Sequence, residues 1–140
     1  MTRYGRHNIG FLWLFVEPML FTLGITALWT IAMFTDLRRV CREGATVHTY
    51  SASTSTRSGF LLGGFAVGVG DPTGDHDETT IAATRIEDLD VPLGASWLGR
   101  LSRSSMPLPS DVPSEPRAVA EALARVRACP QFAAALRTAE

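Results

Sequence analysis

The chain has 140 residues, of which 46% are apolar and 19% are charged, and its formal net charge is −1. This length suits one domain, and the near-neutral charge excludes a basic nucleic-acid-binding protein, so no nucleic-acid partner is expected. The apolar fraction also excludes a chain that is disordered throughout. The two cysteines, Cys41 and Cys129, have no partner at metal-ligand spacing, so we expect neither a disulfide framework nor a metal site.

The first ten residues form a short polar and basic segment, and a long apolar run follows them. Residues 11–34 contain 18 apolar residues out of 24 and a single charge, Glu17. As a helix that rises about 1.5 Å per residue, this run spans roughly 36 Å, enough to cross a hydrocarbon core of about 30 Å. We therefore expect a basic segment over residues 1–10 and a transmembrane helix over residues 11–35, with membrane lipid as a partner.

Aromatic and charged side chains mark this predicted helix. Aromatic rings favour the headgroup level of a bilayer, and arginines favour its aqueous side. The candidates for membrane-interface or helix-packing roles are Arg3, Tyr4, Arg6, Trp13, Glu17, Pro18 and Trp29.

Two alternatives to a membrane helix are weaker. A buried helix of a water-soluble protein would need a large apolar partner surface, and the polar remainder of the chain does not offer one. A signal peptide would have a shorter apolar region, of about 7–15 residues, followed by a cleavage site with small residues.

Glu17 and Pro18 are the most informative pair in the run. A carboxylate inside a membrane helix is costly unless it is paired, hydrated or protonated. Glu17 therefore faces other helices or a polar path, or it lies close enough to the interface to stay wet, and the sequence leaves both alternatives open. Proline at position 18 frees one backbone carbonyl in the preceding turn.

The middle of the chain is rich in residues that are typical of linkers. Residues 51–58 are almost entirely serine and threonine, residues 58–99 carry seven acidic residues against one arginine, and residues 102–116 contain four prolines. We therefore expect residues 36–113 to be a low-complexity, acidic, linker-like region. The acidic loop after Asp71 lacks the glycine and glutamate positions of an EF-hand, so calcium is not expected there. No catalytic or cofactor-binding residues can be assigned.

The end of the chain carries a helix signal. Ser114 can cap a helix that has Pro116 in its first turn, and a narrow apolar stripe follows until Pro130. We expect short amphipathic helices over residues 114–140. The predicted fold is thus mainly α: one transmembrane helix, then a largely irregular polar tail with a short C-terminal helical hairpin.

The run over residues 2–30 resembles the first membrane helix of ABC-2 type permeases that export capsular and other surface polysaccharides. The resemblance rests on a Thr-Arg-Tyr-Gly start, a Gly-Phe-Leu-Trp helix beginning and a mid-helix Glu-Pro, within TRYGRHNIGFLWLFVEPMLFTLGITALWT. It implies a bacterial inner-membrane location, an ABC ATPase subunit and a second permease copy as partners, and no cofactor in this chain, because ATP would be bound by a separate subunit.

The resemblance also implies transport rather than catalysis, so the chain is expected not to be an enzyme. The predicted function is a fragment of an exporter permease subunit that does not transport alone. The alternative is a single-pass membrane anchor with a small polar interaction tail. The resemblance stops near residue 31, so the remainder is either a fused tail or the product of a shift in reading frame.

Overall fold

The computed structural model describes residues 29–137. This part of the chain contains helices and strands in the order α1 (Ile31–Val40), β1 (Thr46–Thr49), α2 (Thr54–Leu62), β2 (Ala66–Gly70), β3 (Thr79–Ala83), α3 (Ala95–Arg103), α4 (Pro116–Arg127) and α5 (Ala133–Arg137). Two 3₁₀ helices lie at Ile86–Asp88 and Pro130–Phe132.

The strands form one sheet in the order β1-β3-β2. Strand β3 is antiparallel to both neighbours, with Ala83 opposite Thr46 on β1 and opposite Ala66 on β2. The two outer strands are therefore parallel to each other, and helix α2 connects them. Parallel strands need such a crossover, so β1-α2-β2 is a βαβ unit with an antiparallel strand between its two strands.

Helix α2 has clear start and stop signals inside the serine- and threonine-rich stretch. The Ser53 hydroxyl accepts a hydrogen bond from the Thr56 N–H at 3.2 Å, which caps the first turn. At the other end Gly64 has φ of +100°, and the Phe65 N–H returns to the Phe60 carbonyl at 3.0 Å. This left-handed glycine with a six-to-one hydrogen bond is the Schellman ending of a helix.

Helices α1 and α2 pack closely because of a glycine on α2. A Cβ atom at Gly59 would overlap the Phe34 ring of α1. Phe34 is 1% exposed and contacts Phe60 with ring centroids 4.4 Å apart. The glycine therefore lets an aromatic ring fill the space between the two helices.

The core lies on one side of the sheet and continues to the end of the described chain. Its members are large apolar side chains from nearly every element, including Phe34, Phe60, Phe65, Val67, Trp97, Leu101, Val126 and Phe132. Phe132 is fully buried and stacks on Trp97 at a centroid distance of 5.9 Å. The C-terminal segment is thus part of the same core as the sheet.

The prediction of a mainly α fold with one transmembrane helix and a largely irregular polar tail is wrong. Residues 46–83, expected to be a linker, contain the three-stranded sheet. Small residues there fill the core, since Ala82, Ala83 and Thr80 are at most 1% exposed. Counting alanine, serine and threonine as linker composition therefore underestimated the core.

The described residues also contain no helix that is long and apolar enough to cross a bilayer. The last residues of the predicted membrane helix, from Ile31, belong to α1, which continues to Val40. Thr30 before them is extended and caps the helix with its side chain. The preceding part of that predicted helix lies outside the described residues.

Candidate functional site

The carboxyl ends of both parallel strands meet at one edge of the sheet. Strand β1 ends at Thr49 and is followed by Tyr50, while β2 ends at Gly70 and is followed by Asp71. Because β3 runs in the opposite direction, its first residue, Thr79, lies at the same edge. Ligands of open α/β sheets bind outside the carboxyl ends of the strands, which makes this edge the candidate site.

A cleft of about 320 Å³ lies at this edge and is named here the carboxyl-edge cleft; it is lined by His48, Thr49, Tyr50, Asp71, Thr73 and Thr79. The Tyr50 side chain is 65% exposed and stacks on the His76 ring at a centroid distance of 5.7 Å. The cleft thus combines an aromatic face, a carboxylate and several hydroxyl groups. This set can hold a small polar ligand that carries a positive charge or hydrogen-bond donors.

A tight turn holds His76 above the end of β1. The Thr73 N–H donates to the His76 carbonyl and the His76 N–H to the Thr73 carbonyl, both at 3.1 Å. Gly74 between them has φ of +59°, a conformation that suits glycine. The Thr79 hydroxyl also donates to the Asp71 carbonyl at 2.8 Å, which ties the base of this loop to β3.

A buried arginine supports the cleft from behind. The Arg57 side chain on α2 is completely buried, and its guanidinium makes three hydrogen bonds. The Nε group donates to the Thr80 hydroxyl at 2.9 Å, and Nη2 donates to the Thr79 carbonyl at 3.1 Å. The Nη1 group donates to the Glu78 carboxylate at 2.6 Å. The Thr80 hydroxyl in turn donates to the Ser51 carbonyl at 2.7 Å. One side chain therefore links the crossover helix, the start of β3 and the chain directly after Tyr50.

Glu78 shares its carboxylate between two arginines. Arg57 and Arg100 lie at 2.6 and 3.2 Å from its oxygens. The hydrogen bond from Arg57 lowers the pKa of the Glu78 carboxyl, and Arg100 lowers it further, against the opposing effect of burial. The carboxylate therefore stays charged and fixes the amino end of β3.

Arg57 lies in the serine- and threonine-rich stretch over residues 51–58, whose composition predicts a linker, so the sequence alone does not indicate this group. A usable signal was present: Ser53, a residue type favoured at helix N-caps, precedes the apolar Phe60-Leu61-Leu62 by two helical turns. That pattern predicts a helix start, and it would place Arg57 in the first turns of a packed helix.

A second and larger cavity, of about 850 Å³, lies beside β1 and is named here the β1 groove. Helix α1 forms one wall with Met33 and Leu37, strand β1 contributes Val47, and the loop over residues 106–110 forms the other wall. The groove is mostly apolar, with no acidic residue in its lining.

Of the residues predicted for membrane-interface or helix-packing roles, the structure describes one. Trp29 lines the β1 groove and meets Phe34 edge-on at a centroid distance of 5.8 Å. The others, Arg3, Tyr4, Arg6, Trp13, Glu17 and Pro18, lie outside the described residues. Trp29 is not among the residues that line the carboxyl-edge cleft. Within residues 29–137, no group of histidine, cysteine or acidic side chains could hold a metal ion.

Comparison with a family of enzymes overturns one prediction. Residues 25–85 match the model of a family described as S-adenosyl-L-methionine-dependent methyltransferases. The matched residues include all of α1, β1, α2, β2 and β3. The expectation that the chain is not an enzyme is therefore wrong, because the matching family consists of enzymes.

Comparison with curated proteins supports the resemblance to exporters over a short stretch. The chain is 69% identical over 29 residues to the capsule polysaccharide export inner-membrane protein CtrC of Neisseria meningitidis serogroup A, and likewise to the corresponding protein BexB of Haemophilus influenzae. The match covers 21% of this chain and spans only 11% of the length of those relatives. No solved structure matches the chain.

The described residues do not fit S-adenosyl-L-methionine as a whole. That ligand carries an adenine ring, ribose hydroxyls, a sulfonium and an amino acid end, which need several paired polar groups. The β1 groove is large enough but has no carboxylate, and the carboxyl-edge cleft has Asp71 but is near the lower size limit of ligand pockets. The helix after β1 also begins with a serine cap instead of a glycine-rich turn.

Proposed function

We propose that residues 29–137 form part of a methyltransferase domain and that the carboxyl-edge cleft contacts the methyl acceptor. One observation carries the proposal: the family match over residues 25–85 coincides with a βαβ unit whose parallel strands end at a polar cleft. In open α/β sheets, this edge holds the ligands. The proposal concerns the acceptor side, since the described residues do not hold the methyl donor.

Tyr50 and Asp71 would orient the acceptor in the cleft. The exposed Tyr50 ring offers a flat apolar face, and Asp71 lies at the end of the other parallel strand, β2, on the far side of β3. Two hydrogen bonds fix the backbone beside these residues: Arg57 donates to the Thr79 carbonyl, and the Thr80 hydroxyl donates to the Ser51 carbonyl. Such fixed positioning is what lowers the barrier for a bimolecular transfer.

Methyl transfer from tritiated S-adenosyl-L-methionine tests the proposal directly. The full chain is incubated with the labelled donor and with small-molecule, RNA and protein fractions of a cell extract, and incorporation is counted. We expect Tyr50→Ala and Asp71→Asn to lower kcat/KM by about 10- to 100-fold, the scale of a lost positioning contact. Asp75→Asn is the matched control, because it removes the same charge from the same loop outside the cleft lining. Absence of transfer by the full chain to every fraction would contradict the proposal.

A second candidate function comes from the 29-residue match to capsule export proteins. We propose it for the amino-terminal segment: a fragment of an exporter permease subunit in the bacterial inner membrane, with an ABC ATPase subunit and a second permease copy as partners. ATP would then be bound by the separate subunit. Release of the expressed chain from membranes by alkaline carbonate would exclude this candidate, and retention in the pellet would support it.

A further inference from the structure

The β1 groove and the carboxyl-edge cleft adjoin at the end of β1. His48, Thr49 and Tyr50 line both of these cavities. Along this stretch the two spaces are therefore separated by no more than the side chains that border them. A single ligand can extend from one cavity into the other past the end of β1, and its two parts then meet different surroundings.

The β1 groove suits the apolar part of such a ligand. Met33 and Leu37 lie in one wall, Met106 and Leu108 lie in the other, and none of the described residues that line the groove is acidic or an arginine. Its volume of about 850 Å³ lies within the range of about 300–1,000 Å³ that is usual for ligand sites. A charged group placed there would lose its hydration without gaining a partner. The groove therefore favours an apolar body.

The carboxyl-edge cleft suits a positively charged end. Asp71 is in its lining, and the loop over residues 71–78 carries four acidic residues and no arginine or lysine. Arg57 and Arg100 reach this loop, but both pair with Glu78, at 2.6 and 3.2 Å. They are therefore committed to Glu78 rather than to Asp71. A carboxylate in such surroundings attracts cations and repels anions.

Tyr50 stands between these two environments and has a matching character. Its side chain is 65% exposed, and its ring stacks on the His76 ring at a centroid distance of 5.7 Å. An aromatic ring offers an apolar face to a hydrocarbon and also attracts a cation that lies over that face. Tyr50 can therefore contact a ligand at the point where its apolar body ends and its charge begins.

We propose that the two cavities bind one amphipathic cation, with its positive charge between Tyr50 and Asp71 and its apolar body in the β1 groove. The role of this cation as the methyl acceptor rests on the proposed function, whereas its shape and charge rest on the cavities alone. The assignment excludes a small acceptor that is polar throughout, because such a molecule leaves the groove unfilled. It also excludes a polyanion such as RNA, because Asp71 repels phosphate groups.

Isothermal titration calorimetry of the full chain with three probes, in the absence of any methyl donor, tests the proposal. Decyltrimethylammonium carries the charge and an apolar chain, tetramethylammonium carries the charge alone, and decyl sulfate carries the chain with the opposite charge. We expect decyltrimethylammonium to bind at least about 100-fold more tightly than tetramethylammonium, since each buried CH₂ strengthens binding about fourfold. Decyl sulfate should bind at least about 10-fold more weakly than decyltrimethylammonium, because attraction by Asp71 becomes repulsion. All titrations stay below the concentrations at which the probes form micelles.

Two pairs of variants locate the bound probe. Asp71→Asn should weaken decyltrimethylammonium binding about 3- to 5-fold, the scale of an exposed charge contact, whereas Asp75→Asn, in the same loop but outside the cleft lining, should not. Ser110→Trp places a large side chain at an exposed position of the groove lining. It should weaken binding at least about 10-fold, because it excludes two or more CH₂ groups of the probe. Ser105→Trp, at an exposed position outside that lining, is the control and should leave binding unchanged. Near-ultraviolet circular dichroism checks that the variants are folded.

Equal affinity for decyltrimethylammonium and tetramethylammonium would overturn the assignment of the apolar body, and equal affinity for decyl sulfate would overturn that of the charge. Unchanged binding by Ser110→Trp would show that the probe binds outside the groove, which also overturns the proposal. Failure of the proposed function is distinguishable: probe binding by a chain that transfers no methyl group would support the two-cavity site and overturn only that function. Methyl transfer to RNA, without binding of the cation, would keep the proposed function and overturn this inference.

Discussion

The two outer strands of the sheet differ in what lies beside their free edges. At β2, the Val69 N–H donates to the Val91 carbonyl and the Leu93 N–H to the Val67 carbonyl, both at 2.9 Å. The Gln131 side chain completes this edge: its oxygen accepts from the Val67 N–H at 2.8 Å, and its amide donates to the Val67 and Leu93 carbonyls at 2.9 and 3.1 Å. At β1, no strand of residues 29–137 pairs with the outer side.

This difference shows where the fold can accept another segment. Proteins block or cover strand edges to avoid unwanted pairing, and the β2 edge is covered by an irregular segment and by one amide side chain. The elements that close β2 lie outside the residues that match the methyltransferase family, whereas the open β1 edge lies within them. The family similarity thus covers all three strands but not the elements that close the β2 edge.

The largest expected effect comes from removing the side chain that anchors the closed edge. Phe132 is fully buried one residue after Gln131 and stacks on Trp97. We expect Phe132→Ala to lower the free energy of unfolding by about 3–5 kcal/mol, the range for a buried aromatic residue. Urea denaturation followed by circular dichroism measures this.

The matching change at the open edge is Leu108→Ala. Leu108 is only half-buried at the wall of the β1 groove. We expect a loss of about 1–2 kcal/mol, because less apolar surface leaves water there on folding. Equal losses for Phe132→Ala and Leu108→Ala would contradict the distinction between a packed edge and an open one.

An effect smaller than that of Phe132→Ala is expected from Gln131→Ala, which removes the amide cover of β2. The Val67 N–H and the Leu93 carbonyl then lose the Gln131 amide, and the Val67 carbonyl keeps only the Leu93 N–H, at a cost of about 1–3 kcal/mol. Hydrogen exchange measured by mass spectrometry should become faster in the β2 peptide. Arg137→Ala, an exposed position in the same C-terminal segment, serves as the control and should leave exchange unchanged. If β2 exchanges at the same rate in both variants, Gln131 does not protect this edge.

The sequence indicated helix ends better than it indicated the sheet. A helix begins at Pro116, but the residue at its N-cap is Glu115, without a side-chain hydrogen bond, and the prediction of Ser114 as the cap is wrong. Strand β1 has only four residues, and β2 reads Ala-Val-Gly-Val-Gly, so neither carries a period-two pattern long enough to recognise. Both strands are held by pairing with β3, which for β2 follows the loop over residues 71–78 and for β1 lies beyond α2 and β2. A pattern within one short strand does not show this pairing.

The candidate site depended on the same long-range pairing. Tyr50 and Asp71 are 21 positions apart, and they share a cleft only because both follow parallel strands next to β3. Arg57 contacts Glu78 and Thr79 across a similar separation. The spacing of residues along a single sequence does not predict these contacts. The resemblance over residues 2–30 was visible because the residues that carry it lie in one continuous stretch.

The buried core also bears on how the two parts of the chain came together. A foreign reading frame has no reason to place Gly59 opposite Phe34, or a buried arginine opposite Glu78. The family match extends from residue 25 through the end of β3. Both observations favour a fusion of two coding segments over a shift of reading frame.

The smallest expected effect concerns Glu78, which links α2 and α3 through Arg57 on α2 and Arg100 on α3. Its pKa is lowered in the folded chain, chiefly by the hydrogen bond from Arg57. A lowered pKa means that the folded state favours the charged carboxylate. The contribution to stability is therefore fully present above the ordinary glutamate pKa of about 4.3 and is lost as the pH falls through the lower folded value.

Comparison of the unmodified chain with Glu78→Gln isolates this contribution. Because Glu78 is 33% exposed, we expect the difference in free energy of unfolding to be only about 1 kcal/mol near pH 7. The difference should shrink towards zero as the pH falls through the lowered pKa of the folded state, since the carboxyl is then protonated in both states. Glu121→Gln is the control, because its pair with Arg117 lies exposed on α4 and should add little at any pH. Urea titrations of the three proteins at several pH values measure these free energies of unfolding. The difference between Glu78→Gln and the unmodified chain could also stay constant with pH. That result would show that the two arginines do not depend on the charge of Glu78.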